Sequence, residues 1–91
     1  MYNVVATIRV LPESPEIDRE ALKREIEKII PATMALHKIE EEPIAFGLVA
    51  LNLIILTTDK EGGDTTPLED ALRALPHISG VEVTDVRRTV G

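Results

Sequence analysis

The side chains of this sequence that could do bond chemistry are its histidines, serines and clustered carboxylates, and their spacing leaves them without partners. His37 and His77 stand forty residues apart, neither with a second ligand at metal spacing. His77, beside Pro76, reads as a loop residue. Glu40, Glu41 and Glu42 could gather a hard cation. Neighbouring side chains alternate in direction along an extended chain, however, so this run reads as a solvated strand end. Ser14 and Ser79 each sit beside a turn signal, with no histidine–carboxylate pair nearby in sequence. Gly62-Gly63 lacks the lysine and the spaced glycines of a phosphate-cradling loop. The stretch 59–64 departs from a calcium-binding EF-hand, because its glycine comes early and no Glu closes it. With no cysteine in the chain, thiolate zinc sites, redox pairs, cysteine nucleophiles and disulfides are all removed. No catalytic constellation emerges among these residues, so neither enzyme chemistry nor a cofactor or metal is expected.

Two other stretches carry unusual residues. Phe46 is the only Phe, and it lies in Pro43-Ile44-Ala45-Phe46-Gly47, the connection into the most apolar segment. An aromatic exposed in a loop can anchor an interface. A lone Phe is also commonly part of a core, and composition leaves both readings open. Arg87 and Arg88 close an otherwise acidic chain. Their structural reading is a charged edge strand that discourages sheet extension.

The elements that would position these residues follow from periodicity. Val4, Ala6, Ile8 and Val10 alternate with Val5, Thr7 and Arg9, which predicts a half-buried strand ending at Leu11-Pro12. Leu22, Ile26, Ile29 and Ile30 then share one face at helical spacing. Asp18 is the expected N-cap, with Ile17 and Leu22 at the two hydrophobic-staple positions; Ser14-Pro15 offers an earlier start, and Pro31 ends the helix. A short strand is expected at 36–40 and a central one at 48–58, apolar on both faces except for Asn52. A surface loop at 59–64 leads to a capping box, Thr66-Pro67-Leu68-Glu69. The helix it opens should bury Leu68, Ala71, Leu72 and Leu75, and Pro76 stops it. A last strand places Val81 and Val83 inward, Glu82 and Thr84 outward. The order β-α-β-β-α-β predicts an α+β, ferredoxin-like sandwich: a four-stranded antiparallel sheet with two helices on one face. Right-handed crossovers put strands 1 and 3 at its centre and strands 2 and 4 at its edges.

Composition narrows the function classes. The chain has 91 residues, 44% hydrophobic, which suits one folded domain over 1–91 rather than a disordered segment. Ten basic against sixteen acidic residues leave a net charge of −6, spread evenly between the halves. With only 2% aromatics as well, direct nucleic-acid binding is not expected. The N-terminus shows no basic targeting region, and the longest apolar run, 48–56, falls far short of the roughly 20 residues that cross a bilayer. A cytoplasmic protein, monomeric and without membrane contact, is the expectation.

The strings Val4-Val5-Ala6-Thr7-Ile8-Arg9-Val10, Pro12-Glu13-Ser14-Pro15, Glu41-Glu42-Pro43-Ile44-Ala45-Phe46-Gly47-Leu48 and Val83-Thr84-Asp85-Val86-Arg87-Arg88 resemble the archaeal elongation factor 1-beta family. The resemblance covers essentially the whole chain and implies a ferredoxin-like fold. It also implies guanine-nucleotide exchange on elongation factor 1-alpha, the GTPase that delivers aminoacyl-tRNA. In the eukaryotic relatives the matching loop Phe packs into a pocket of the GTPase, so Phe46 would dock there, with Pro43, Ile44 and Gly47 shaping its loop. The C-terminal end of those relatives disturbs the region holding Mg²⁺ and the phosphates. Eukaryotic factors use a lysine next to their C-terminus, whereas this chain has no Lys after Lys60. The resemblance leaves Arg87 and Arg88 for that role, with a broader, differently hydrated cation. A different function class shares the same element order, a regulatory ligand-binding domain of the ACT type. The segment Ile78-Ser79-Gly80-Val81-Glu82-Val83 is loosely compatible with it.

Overall fold

Alternating apolar residues build the centre of the sheet. In the computed structural model, which describes residues 2–58 and 65–88, the elements are β1 (Val4–Pro12), α1 (Arg19–Ile29), β2 (Ala35–Pro43), β3 (Val49–Thr57), α2 (Thr66–Ala74) and β4 (Ile78–Arg88). They form one antiparallel sheet in the order β2-β3-β1-β4, the expected ferredoxin-like arrangement. Ala6, Ile8 and Val10 of β1 stand opposite Ile55, Leu53 and Leu51 of β3, and all six are fully buried. Leu22 and Ile26 of α1 and Leu68 and Leu72 of α2 close the core over this face.

The helix starts differ in how well the residues announce them. Asp18 caps α1 as expected, its carboxylate accepting from the amides of Glu20 and Ala21 at 3.0 and 3.3 Å. Ser14-Pro15 does not open a helix; it forms a turn in which the Ser14 hydroxyl accepts from the Glu16 amide. In α2 the cap is Thr65 rather than Thr66. Its hydroxyl donates to the Glu69 carboxylate at 2.9 Å instead of accepting from the helix amides, so the expected capping box is not formed. Ala71 and Leu75 are half-buried where full burial was expected. β2 runs three residues past 36–40, because the Glu run still pairs with β3 through Pro43↔Val49. The loop expected at 59–64 lies outside the described residues.

Three register shifts interrupt the sheet, at Leu36/Lys38 in β2 and at Thr7/Ile8 and Leu11/Pro12 where β1 meets β4. In β2 the ladder passes from Leu36↔Ile55 to Lys38↔Ile54, leaving His37 as the extra residue of a bulge. In β4 it passes from Val83↔Ile8 to Asp85↔Thr7, which leaves out Thr84; the Thr84 hydroxyl donates to the Thr7 carbonyl at 3.4 Å. Beyond this bulge the facing reverses. Val86 and Arg88 stand opposite Ala6 and Val4 on the helix-covered side, while Asp85 and Arg87 share the open face with Thr7 and Val5.

Candidate partner-docking site

The connection from β2 to β3 is a tight reversal. Pro43 pairs with Val49, the Ile44 amide donates to the Leu48 carbonyl at 2.8 Å, and the Leu48 amide donates to the Ala45 carbonyl at 3.2 Å. Between them Ala45–Gly47 makes a single turn whose two central residues are left-handed, Phe46 at φ 61°, ψ 31° and Gly47 at φ 77°. Glycine adopts that region without steric penalty, but a bulky side chain rarely does. The turn therefore holds Phe46 in a conformation that local sterics oppose. The consequence is exposure: Phe46 is 95% accessible, whereas the other exposed large apolar side chains among the described residues, Tyr2 and Val86, are 41% and 52%. Of the two readings that composition allowed for this Phe, the core one is excluded.

The frame beneath the turn is made from charge and shape. Glu41, on the helix side of β2, receives the Lys23 ammonium at 2.8 Å and lies 3.3 Å from the Arg19 guanidinium, both on α1. The Lys23 hydrogen bond chiefly, then Arg19, holds the Glu41 carboxyl below its ordinary value; Glu41 in turn raises the pKa of Lys23. On the open face Glu42 accepts from the Asn52 amide at 3.2 Å and pairs with Arg9 at 3.7 Å. Glu41 and Glu42 thus tie β2 to neighbouring elements, whereas Glu40 pairs with Lys38 of its own strand, and all three stay exposed at the strand end as expected. Single-strand periodicity could not show the ties, because they depend on register.

The remaining residues with chemical potential are spoken for locally. His77 has a positive φ of 69°, its Nδ1 lies 3.1 Å from Glu13 Oε1, and its carbonyl accepts from the Glu13 amide. It fastens the start of β4 to the end of β1. His37 is exposed on the far edge, so the two histidines do not meet. The Ser79 hydroxyl donates to the Leu11 and Pro12 carbonyls. Among the described residues no cluster of His, Asp and Glu is arranged to hold a metal ion. A shallow groove of about 240 Å³ runs along Ile78–Val81 beside Arg73, whose guanidinium pairs with Glu69 and Asp70. No described helix is long and apolar enough to cross a membrane.

The structure separates the two groups of candidate residues. Pro43, Ile44, Phe46 and Gly47 surround the turn at the start of β3. Arg87 and Arg88 pair with Val5 and Val4 at the other end of the sheet, where Val4 also faces Thr57. The nine-residue β3 between these ends is about 26 Å long at roughly 3.3 Å per residue. Arg87 pairs with Asp85 at 2.8 Å.

Residues 5–89 match the family described as the EF-1 guanine nucleotide exchange domain. The chain belongs to this family. It is 58% identical over 88 residues to elongation factor 1-beta of Methanothermobacter thermautotrophicus, covering 97% of this chain and 98% of that protein. The relative from Methanobrevibacter smithii is 56% identical with the same coverage, and the one from Thermococcus gammatolerans is 39% identical over 87 residues. These relatives thus align with nearly the whole of this sequence. Among solved structures, the ACT domain of a GTP pyrophosphokinase from Chlorobium tepidum is similar with a TM-score of 0.62 over 90% of this chain and 99% of that one. At 22% identity that likeness is one of fold. The exchange-domain match, by contrast, takes in the Phe46 turn and both C-terminal arginines.

Proposed function

We propose that this chain promotes exchange of GDP for GTP on elongation factor 1-alpha during protein synthesis, by docking Phe46 in a pocket of that GTPase. One observation carries the reading: an almost fully exposed aromatic on a strained, framed turn, in a chain of the exchange-domain family. Moving a Phe from water into a pocket contributes roughly 1.5–3 kcal/mol, and the side chain gives up no contact within its own fold to do so. That energy favours docking. Release of the nucleotide needs a separate effect, because a thousandfold acceleration removes about 4 kcal/mol from the dissociation barrier. The C-terminal end, through Arg87 or Arg88, supplies it by disturbing the contacts to Mg²⁺ and phosphate. Factor and nucleotide then weaken each other's binding reciprocally. The factor acts by displacement and makes no covalent bond.

The test is release of a fluorescent GDP from purified elongation factor 1-alpha. The wild-type chain should accelerate release, and Phe46→Ala should remove most of the acceleration. No acceleration by the wild-type chain overturns the reading. A melting temperature that rises with an added amino acid would instead support a regulatory domain of the ACT type.

A further inference from the structure

We propose that the groove between α1 and the start of β4 is a second docking element beside Phe46, and that it receives a long basic side chain, Lys or Arg, from the surface of the GTPase. The inference rests on the reading of Phe46 as the docking residue and deepens it by naming what the neighbouring surface takes.

The groove encloses about 360 Å³. Its floor is apolar, with Ala21 exposed, Ile17 half-buried and Leu22 buried. Glu16 and Glu25 stand on its rim with Asp18, and His77 forms the far wall. Helical spacing puts Asp18, Ala21, Leu22 and Glu25 on one flank of α1. Arg19 and Lys23 leave the helix toward Glu41 on β2, so these two cations do not neutralise the groove. The wall is fixed in place, since the His77 carbonyl accepts from the Glu13 amide at 2.9 Å and its Nδ1 lies 3.1 Å from Glu13 Oε1.

The charge of the rim is not spent inside the fold. Asp18 serves the α1 amides through Oδ1. Glu16 and Glu25 are exposed, and neither forms an ion pair with a described residue. A long basic side chain suits both parts of such a groove, its methylene stem covering the apolar floor and its cation resting among the carboxylates. A purely apolar group would strip water from those carboxylates without pairing them. A bare metal ion would find no ligand on the floor, and no cluster of described residues is arranged to hold one.

The groove lies at the Phe46 end of the molecule. β1 runs out there at Pro12, paired with Ile78. Pro15, next to Glu16, comes within 3.7 Å of a Cβ built on Gly47, so the loop before α1 adjoins the turn. A surface that receives Phe46 therefore meets the groove in the same approach. One exposed ring leaves a partner free to rotate about it, and a charged contact beside the ring fixes the register.

The test is the GDP-release assay with variants of the groove. Glu16→Gln combined with Glu25→Gln should raise the half-saturating factor concentration by roughly three- to tenfold, leave the limiting rate unchanged and make half-saturation less sensitive to salt. Ala21→Arg should raise it by another route, because it keeps both carboxylates and fills the groove with the chain's own cation. These are surface substitutions, and melting temperatures should stay within about 2 °C of wild type. Glu27→Gln with Glu82→Gln, two exposed carboxylates outside the groove, should change nothing. Unchanged half-saturation in the groove variants, beside a strong Phe46→Ala effect, overturns the groove and leaves the docking reading standing. An equal effect of the control pair overturns it in favour of net charge alone. If the Gln pair melts early, Ala21→Arg decides, and a wild-type half-saturation in that variant overturns the proposal. A Phe46→Ala factor as active as wild type removes the docking reading, and the proposal with it.

Discussion

Phe46 occupies a left-handed position that in most hairpin turns belongs to Asn, Asp or Gly. For a residue with a Cβ, that region is disfavoured by roughly 1–2 kcal/mol, and Asn recovers part of this through local hydrogen bonding. Because Phe46 is 95% exposed, replacing it removes almost no burial. Phe46→Asn should therefore stabilise the fold by about 0.5–1 kcal/mol, a rise of several degrees in melting temperature, while removing most of the exchange activity. Calorimetry beside the GDP-release assay measures both. A variant that melts lower than wild type would show that the ring supports the fold. The sequence made Phe46 conspicuous by rarity and by its loop, but not by conformation. The adjacent Gly47 announced a positive φ at one position, and nothing local announced the second. Asp18 was legible for the opposite reason, since a cap is set by the few residues around it.

At the scale of elements, the strands and helices followed from period, and the sheet order followed from right-handed crossovers. The bulges at His37 and Thr84 did not, because a bulge is a relation between two strands and leaves no fixed mark on either. The ties between α1 and β2 were hidden in the same way. Lys23 and Arg19 sit four residues apart on one helix, and only the register of β2 brings Glu41 between them. Their pH dependence has a definite sign. Glu41 is held below its ordinary 4.5 by Lys23 and then Arg19, so its contribution is present above that value and is lost as pH falls through the lowered one. Lys23 is raised above its ordinary 10.5 chiefly by Glu41, so its contribution is present below that value and is lost as pH rises through the raised one. The denaturation midpoint of wild type should exceed that of Glu41→Gln by a constant margin across neutral pH. The margin should close below 4.5 and shrink in high salt, since both partners are solvent-accessible. A margin independent of pH would mean that the carboxylate charge does not hold α1 to β2.

Across the whole molecule, which measures 39 × 21 × 18 Å, the Phe46 turn and the C-terminal arginines lie at opposite ends of the sheet. A partner met by both must be contacted at two places set apart by the length of β3, roughly 26 Å, so one end can anchor while the other acts. The bulge at Thr84 sharpens this, because it sends Arg87 to the open face and Arg88 to the helix-covered side. The two arginines, adjacent in sequence, thus leave the strand from opposite faces of the sheet. Arg87→Ala and Arg88→Ala should accordingly be unequal in the GDP-release assay, one lowering the limiting rate and the other leaving it near wild type. The effective substitution should add to Phe46→Ala in free energy to within about 0.5 kcal/mol, as expected for sites more than 10 Å apart with no shared neighbour. Phe46→Ala should mainly raise the half-saturating concentration, and the effective arginine should mainly lower the limiting rate, because docking and release are different steps. If both functions belong to one molecule at once, mixing the Phe46→Ala factor with the arginine variant should restore nothing. Recovery of exchange in that mixture would show that the two ends work on separate encounters, and the rigid sheet between them would lose its role as the spacer that places anchor and cation on one GTPase.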